Sequence, residues 1–206
     1  DWMLSAIKSE TCIVVADGSY MPTLRTDICS TAFVFECTEG TGSLVGSFAD
    51  FSVSSNAYRG ELLGLMAAHL VLLGLHKLHP GLTGSVKVYS DCLGALDKLK
   101  GLPPFRLPAK CRHSDILKNI IINCLDLPFH IAFEHIEAHQ DDRMDFHLLS
   151  RPAQLNCAVD AGAKRRLMEA DAVGHVGRRG FPLEPVVCFV GKEKMTTDTG
   201  GAIRFW

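Results

Sequence analysis

Two predicted strands of this 206-residue chain end in an aspartate. Asp17 follows the apolar run 13–16 within CIVVADGSY, and Asp91 closes a second apolar run, VKVYSD. A β-branched run beside a glycine turn is typical of a strand that is buried on both faces. Such a strand gives no structural reason for a carboxylate at its end, although a single Asp-Gly pair by itself indicates a turn.

Two further acidic residues lie on predicted helices. Glu61 lies in the first turns of the helix between the two strands, and Asp160 lies at the edge of the apolar face of the last helix. Singly, each would be interpreted as a cap or a solvated charge. Four carboxylates at similar places favour one shared explanation, because a cluster of like charges is costly unless a cation lies among them.

The chemistry that suits such a cluster is metal-dependent transfer at phosphorus. Carboxylate oxygens are the ligands of hard cations such as Mg²⁺ and Mn²⁺. Two such ions about 4 Å apart can hold both the attacking and the leaving oxygen of a phosphodiester. Because ligands of open α/β sheets bind at the carboxyl ends of strands, we expect Asp17 and Asp91 to share one edge of a sheet.

The elements that must position these residues follow from hydrophobic periodicity. They are, in chain order, strands at 11–17, 30–36 and 43–50, a helix at 57–76, a strand at 84–90, helices at 92–100 and 114–125, a strand at 129–136 and a helix at 152–170. Short links between the first three strands predict an antiparallel meander, and the long helix before the fourth predicts a parallel crossover. We therefore expect an α/β fold with a five-stranded mixed sheet, three strands antiparallel and then two parallel, flanked by helices.

The chain divides into two parts on this interpretation. Residues 1–170 are predicted to form the catalytic domain, and residues 171–206 a C-terminal extension. Two apolar β-type runs in the extension, 185–190 and 202–206, flank a polar link and predict a β-hairpin. Because an isolated hairpin is only marginally stable in water, we expect it to dock on the domain and to support stability rather than chemistry.

The amino-acid composition excludes few classes of function. A net charge of −2 with 47% hydrophobic and 21% charged residues is that of an ordinary globular protein, and it counts mildly against a nucleic-acid binder. Eight scattered cysteines without a CxxC pair indicate a reducing compartment, cytoplasm or nucleus. The sequence shows no signal peptide and no long apolar stretch suited to a membrane span, so we expect no membrane partner.

Four short motifs, taken together and in order, resemble type 1 ribonuclease H. They are ADGS, AYRGELLG, YSDCLGAL and LNCAVDAGA, and they span about Thr11 to Ala170. The resemblance implies the ribonuclease H-like fold and cleavage of the RNA strand of an RNA/DNA hybrid, leaving a 5′-phosphate and a 3′-hydroxyl. It also implies two bound Mg²⁺ ions, replaceable by Mn²⁺. The implied metal ligands and catalytic carboxylates are Asp17, Glu61, Asp91 and Asp160.

The family also has a mobile histidine before its last helix, and HIEAHQDD places His139 there as a further catalytic residue. His135 is the alternative, but strand alternation favours a packed role for it. The stretch from His139 to Asp160 is longer than family members normally show. Its aspartates are interpreted as a solvated acidic loop, with entry into the metal shell left open as an alternative; they are Asp141, Asp142 and Asp145.

The resemblance further implies contacts with the hybrid, whose 2′-hydroxyls separate RNA from DNA. The implied substrate-binding residues are Gly18, Ser19, Tyr20, Asn56, Tyr58 and Arg59. Asn56 is equally well interpreted as a helix cap. A basic segment is predicted either to touch the DNA backbone or to form a solvated loop; its residues are Arg106, Lys110, Arg112 and His113.

Two other functions stay open. An integrase-like enzyme or another nuclease of the same fold usually has three acidic residues and lacks one at the Glu61 position. A catalytically inactive ribonuclease H-like binding module gives no physical reason for four clustered carboxylates. Because the chain begins with Asp1, we expect it to be a domain of a larger parent polyprotein, such as that of a retroelement.

Overall fold

A computed structural model describes residues 1–101, 111–173, 181, 189–190, 193–194 and 196. The elements are α1 (Trp2–Lys8), β1 (Cys12–Ser19), β2 (Ile28–Cys37), β3 (Ser43–Phe51), α2 (Ala57–Leu78), β4 (Ser85–Ser90), α3 (Leu93–Gly101), α4 (Ser114–Asp126), β5 (His130–His135), α5 (Arg151–Val173), β6 (Phe189–Val190) and β7 (Glu193–Lys194). Two 3₁₀ turns, Gln140–Asp142 and Phe146–Leu148, lie between β5 and α5. The short helix α1 has no counterpart among the predicted elements.

The first five strands form one mixed sheet in the order β3-β2-β1-β4-β5. The pairs β1–β2 and β2–β3 are antiparallel, and the pairs β1–β4 and β4–β5 are parallel. The predicted sheet is therefore confirmed. Because β1 lies at its centre, it is buried without interruption from Cys12 to Asp17, which explains its apolar run.

Helices cover both faces of this sheet, so alternate residues of β1 enter two different cores. Val14 and Ala16 belong to the main core, which α2 and α4 complete. Val15 packs in a second core with Val159 and Ala163 of α5. Packing on this face fixes the position of α5 beside the end of β1, where Asp17 lies.

The helix α2 is long and apolar enough, by length and composition, to cross a membrane. The expectation that the chain has no such stretch is therefore wrong. More than half of the most apolar window of α2 is buried within the protein, where it packs against β1 and β2. We interpret α2 as a core helix, since a helix buried in a domain interior passes the same test.

Two glycines allow the first turn of α2 to approach the end of β1 closely. A Cβ atom on Gly18 would overlap the backbone of Gly60 and Glu61. A Cβ atom on Gly60 would lie 2.8 Å from the carbonyl oxygen of Ser30. Neither position can hold a larger residue without moving the helix, and this close approach brings Glu61 to the end of β1.

The structure describes a short antiparallel ladder in the C-terminal extension, between β6 and β7. The strand β7 lies within the segment predicted to be the polar link of the hairpin. Residues 202–206, predicted as its second strand, lie outside the described residues. Among the described residues beyond α5, Phe181, Lys194 and Thr196 contact the domain.

A fully buried histidine, His69, lies in the main core on α2. Its ring stacks on Phe133 with centroids 5.7 Å apart, and its Nδ1 lies 2.6 Å from the carbonyl oxygen of Leu65. No described residue bonds its Nε2. Burial lowers the pKa of His69 from 6.5 to about 4, so the folded protein holds a neutral ring whose Nδ1–H donates to Leu65.

We expect His69→Leu to remove part of the acid sensitivity of the fold. Since the pKa of His69 is lower in the folded than in the unfolded state, the unfolded chain binds the proton first. The free energy of unfolding therefore falls as the pH drops from 6.5 to about 4. This loss is roughly 3 kcal/mol at most. Urea denaturation across this range measures it, and stability profiles that run parallel in the two proteins would contradict it.

Candidate active site

Three of the four predicted carboxylates meet at one edge of the sheet. One oxygen each from Asp17, Glu61 and Asp91 lies within 4.8 Å of the other two. The strands β1 and β4 are parallel neighbours, so Asp17 near the end of one and Asp91 just after the other emerge together. We call these three residues the carboxylate group.

Asp17 and Glu61 share one backbone donor. The amide of Gly18 donates to Asp17 Oδ1 at 2.6 Å and to Glu61 Oε1 at 3.1 Å. The other oxygen of Glu61, Oε2, is buried and has no hydrogen-bond partner among the described residues. A buried carboxylate oxygen without a donor is costly. Beside two further carboxylates, this donor set fits a hard divalent cation.

The electrostatics of the carboxylate group point the same way. Burial, and then the charges of nearby carboxylates, raise the pKa of Asp17 from 3.8 to about 6. Burial and the charge of Asp17 raise the pKa of Glu61 well above 4.5. Without a cation, these neighbouring buried charges are therefore costly, and a cation among them would remove that cost.

Asp160 lies at the border of the carboxylate group rather than inside it. Its charge helps to raise the pKa of Asp17, so the two side chains are close. However, its Oδ2 accepts a bond of 2.6 Å from Lys164 Nζ, one turn further along α5. Asp160 is not among the described carboxylates that lie within 4.8 Å of one another. The sequence interpretation ranked Asp160 with the other three carboxylates, whereas in the structure Asp160 is paired with Lys164.

Asn156 is a site residue that the sequence interpretation missed. It lies on α5, is 4% exposed, and its Nδ2 donates to Asp91 Oδ2 at 3.4 Å. Its Oδ1 is buried with no partner among the described residues. A signal was present in the sequence, because Asn156 lies one helical turn before Asp160 and beside the apolar row of the same helix. Asn156 therefore orients Asp91 from the opposite layer.

The two candidate histidines, His135 and His139, are both exposed. His135 ends β5, and its Nε2 lies 3.2 Å from the carbonyl oxygen of Asp91. The predicted packed role of His135 is therefore wrong. His139 precedes the first 3₁₀ turn and has a left-handed backbone, with φ 51° and ψ 41°. Each ring is accessible from solvent, as a proton donor to a bound substrate must be.

The acidic loop after His139 is exposed, as a solvated loop should be. Asp141 lies near α5, because its charge raises the pKa of the Cys157 thiol and of Lys164. Lys164 is the partner of Asp160, so Asp141 lies close to the border of the site. Neither Asp141, Asp142 nor Asp145 belongs to the carboxylate group, within the described part of the chain.

The prediction that Arg59 contacts substrate is wrong. Its side chain is 1% exposed, and its Nε donates to Asp50 Oδ2 at 2.7 Å. Its remaining guanidinium nitrogens face Asp115, with the shortest distance 3.2 Å to Oδ2. Arg59 therefore ties the first turn of α2 to β3 and α4. No local pattern could show this, because Asp50 and Asp115 lie 9 and 56 positions away along the chain.

The other predicted substrate contacts fall into two sets. Asn56 caps α2, because its Oδ1 accepts from the amide of Arg59 at 2.8 Å. Ser19 is 6% exposed, and its predicted contact with substrate stays a prediction. Gly18, Tyr20 and Tyr58 keep part of their surface exposed, and Gly18 contacts the carboxylate group through its amide.

A polar cavity of about 250 Å³ lies beside the N-terminus of α2. Its lining residues are Val53, Ser54, Ser55, Asn56, Arg112, His113 and Thr196. Arg112 is exposed, whereas His113 is 3% exposed and burial and Arg59 lower its pKa to about 4. His113 is thus a buried neutral ring, which corrects its assignment to a basic surface segment. Arg106 and Lys110 lie outside the described residues.

Solved structures share this fold at low sequence identity. The N-terminal RNase H domain of a Mycobacterium tuberculosis protein is 15% identical with a TM-score of 0.53, over 79% of this chain and 96% of that one. LC11-RNase H1, isolated from compost and solved with an RNA/DNA hybrid, is 13% identical with a TM-score of 0.53, over 79% and 99%. A foamy viral protease-reverse transcriptase, solved with dsDNA, is 19% identical with a TM-score of 0.54, over 78% and 96%.

No family model matches the sequence, and no curated protein is significantly similar to it. The similarity of this chain to known proteins is therefore a similarity of fold. The order β3-β2-β1-β4-β5, the three antiparallel and two parallel strands and the flanking helices are common to the chain and these neighbours. The chain has the ribonuclease H fold, as type 1 ribonuclease H domains do.

Proposed function

We propose that the chain is a metal-dependent endoribonuclease that hydrolyses the RNA strand of RNA/DNA hybrids by a two-metal mechanism, leaving 5′-phosphate and 3′-hydroxyl ends. The carboxylate group at the carboxyl ends of two parallel strands is the observation that carries the proposal. Support comes from the ribonuclease H fold and from a neighbour of that fold that was solved with an RNA/DNA hybrid.

Mg²⁺ is the proposed cofactor, with Mn²⁺ as a substitute, because the described donor set is oxygen alone. The residues that would hold the ions are Asp17, Glu61, Asp91 and Asp160. When bound, such ions make water a nucleophile and stabilise the leaving oxygen of a phosphodiester. Asn156 would keep Asp91 oriented, and Lys164 would hold Asp160 until a cation replaces it.

The remaining roles fall to residues around the carboxylate group. The exposed ring of His139 can supply a proton to the departing 3′-oxygen or aid product release, and His135 is the alternative beside Asp91. Gly18 and Tyr20, which are partly exposed, are the proposed contacts to a 2′-hydroxyl of the RNA strand. Arg112, an exposed residue that lines the polar cavity, is the proposed contact to a phosphate of the DNA strand.

The proposed partner is an RNA/DNA hybrid, and a larger parent polyprotein is a second proposal. Support for the latter is the foamy viral neighbour, a protease-reverse transcriptase. A reducing compartment, cytoplasm or nucleus, is proposed from the scattered cysteines, seven of which are free thiols in the described part of the chain.

The test is an assay of labelled RNA/DNA hybrid, double-stranded RNA and double-stranded DNA with Mg²⁺, with Mn²⁺ and with chelator. We expect the hybrid to be the only substrate that is cleaved, and we expect this cleavage only when Mg²⁺ or Mn²⁺ is present. Cleavage or joining of double-stranded DNA would favour an integrase-like enzyme. Binding of the hybrid without cleavage under any condition would favour an inactive binding module.

Asp17→Asn should abolish cleavage while leaving the fold and hybrid binding intact. Without metal it should also stabilise the protein at neutral pH. The pKa of Asp17 is higher in the folded state, about 6, than in the unfolded state, so the carboxyl destabilises the fold as the pH rises through this range. The expected gain is about 3 kcal/mol at most in the free energy of unfolding. It should vanish below the unfolded pKa of 3.8, where the wild-type carboxyl is protonated.

Asp97→Asn is the matched control, because Asp97 is exposed on α3 and lies outside the carboxylate group. Both variants are compared with wild type by urea denaturation in chelator and by hybrid turnover. Wild-type turnover in Asp17→Asn, or equal stability gains in the two variants, would count against the site.

His139→Ala should slow turnover without abolishing it. A general acid contributes about 10²-fold or more to rate, and a residue that only aids product release contributes less. Steady-state and single-turnover rates across pH measure the effect, with His135→Ala assayed in parallel. A larger loss in His135→Ala would assign the proton donor to the ring beside Asp91 instead.

Arg112→Ser should weaken hybrid binding and leave kcat near the wild-type value. One lost phosphate contact reduces the slope of binding affinity against salt concentration by about 1, to a similar degree for all sequences. Arg165→Ser is the control, because Arg165 is an exposed arginine of α5 that does not line the cavity. An unchanged salt dependence in Arg112→Ser would remove Arg112 from the interface.

A further inference from the structure

A buried network of charges lies at the N-terminal end of α2. Arg59 contacts Asp50 at 2.7 Å and Asp115 at 3.2 Å, and Lys194 Nζ lies 3.4 Å from the same Oδ2 of Asp115. The side chains of Arg59, Asp115 and Lys194 are 1%, 5% and 6% exposed. Among the described residues, Lys194 adds a second cation beside the two carboxylates of this network, Asp50 and Asp115. A buried ion network that loses one member is left with an uncompensated charge.

Lys194 belongs to the C-terminal extension, and two other residues of the extension hold it there. The ring of Phe181 contacts both cations, with its centroid 3.6 Å from Lys194 Nζ and 5.5 Å from Arg59 Cζ. Thr196 is 4% exposed, and its hydroxyl donates to Ser54 Oγ at 2.9 Å. The Thr196 carbonyl accepts from Ser114 Oγ at 3.4 Å. We call Phe181, Lys194 and Thr196 the C-terminal clamp.

The network holds the turn of helix that carries Glu61. Arg59 is the third residue of α2, and Asn56 caps its amide. Glu61 follows two residues later and reaches the amide of Gly18 at 3.1 Å. Gly60 lies between them in contact with the backbone of β1. A movement of this turn therefore changes the distance from Glu61 to the rest of the carboxylate group.

We propose that the C-terminal clamp positions the metal centre. By balancing and covering the charges around Arg59, it fixes the first turn of α2 and so sets Glu61 against Asp17 and Asp91. Lys194, Phe181 and Thr196 are positioning residues, because they act through Arg59 and touch none of the carboxylate group. The inference rests on the proposed function. It extends that function by making the C-terminal extension part of the construction of the site, where the sequence predicted a role in stability alone.

Lys194→Met tests the clamp, since methionine keeps much of the volume and removes the charge. Mn²⁺ binding to the substrate-free protein is measured by calorimetry, and the Mg²⁺ concentration for half-maximal hybrid cleavage by titration. We expect both to weaken by roughly 10-fold, the lower end of losses seen when groups that orient metal ligands are removed. The KM for hybrid should change by less than about twofold in Lys194→Met, because Lys194 is buried and is not among the residues that line the cavity beside Arg112.

Two matched variants separate positioning from stability. Lys194→Arg retains the charge and should restore metal binding to near the wild-type value. Lys118→Met makes the same chemical change at an exposed lysine of α4, the helix that carries Asp115, and should leave metal binding unchanged. Thr196→Val, a milder loss of one hydrogen bond, carries the test if Lys194→Met does not fold. It should weaken Mn²⁺ binding in the same direction, by about threefold.

The outcomes distinguish this proposal from the proposed function. A folded Lys194→Met or Thr196→Val protein with wild-type Mn²⁺ binding would overturn the clamp and leave the nuclease proposal standing. A wild-type protein that binds Mn²⁺ but leaves the hybrid uncut would overturn the nuclease proposal, while weaker binding in the variants would still support the clamp. A wild-type protein that binds no Mn²⁺ would contradict both.

Discussion

The close contact between the end of β1 and the first turn of α2 is the constraint on which the site depends. It requires glycine at positions 18 and 60, because a Cβ at either would meet backbone atoms. The same contact lets the Gly18 amide serve both Asp17 and Glu61. Because backbone rather than side chains makes the contact, the geometry is rigid. The remaining elements hold this junction from three sides, through β4, α5 and the network around Arg59.

The site concentrates negative charge where the fold tolerates it least. Burial raises the pKa of Asp17 and of Glu61, and the Glu61 Oε2 atom has no partner among the described residues. Buried carboxylates of this kind lower the stability of the folded protein. Proteins retain such unfavourable arrangements where function requires them. The large apolar core under α2 offsets the cost, and a second buried set of charges around Arg59 is balanced in pairs. A cation at the carboxylate group would turn the repulsion into binding energy.

The sequence by itself determined the sheet and the location of its acidic edge. Strand and helix periods are local signals, so β1, α2 and β4 were predictable within a few residues of their observed bounds. Because a long helix between strands forces parallel pairing, the shared edge of Asp17 and Asp91 followed from element order alone. Glu61 followed as well, since its place in the first turns of α2 is a matter of counting from the cap.

The tertiary structure alone decided which polar residues are buried, and with what partner. Arg59 was predicted to contact substrate because its ion-pair partners could not be recognised in the sequence. These partners, Asp50 and Asp115, come from other elements of the fold. Asp160 was ranked with the central carboxylates because the pairing with Lys164 depends on side-chain placement at a helix border. The strand partner of β6 and the docking of Lys194 likewise rest on contacts between distant segments. The local sequence pattern predicts whether a segment is a helix or a strand. Burial and ion pairing depend instead on which distant segments pack against that element in the folded chain.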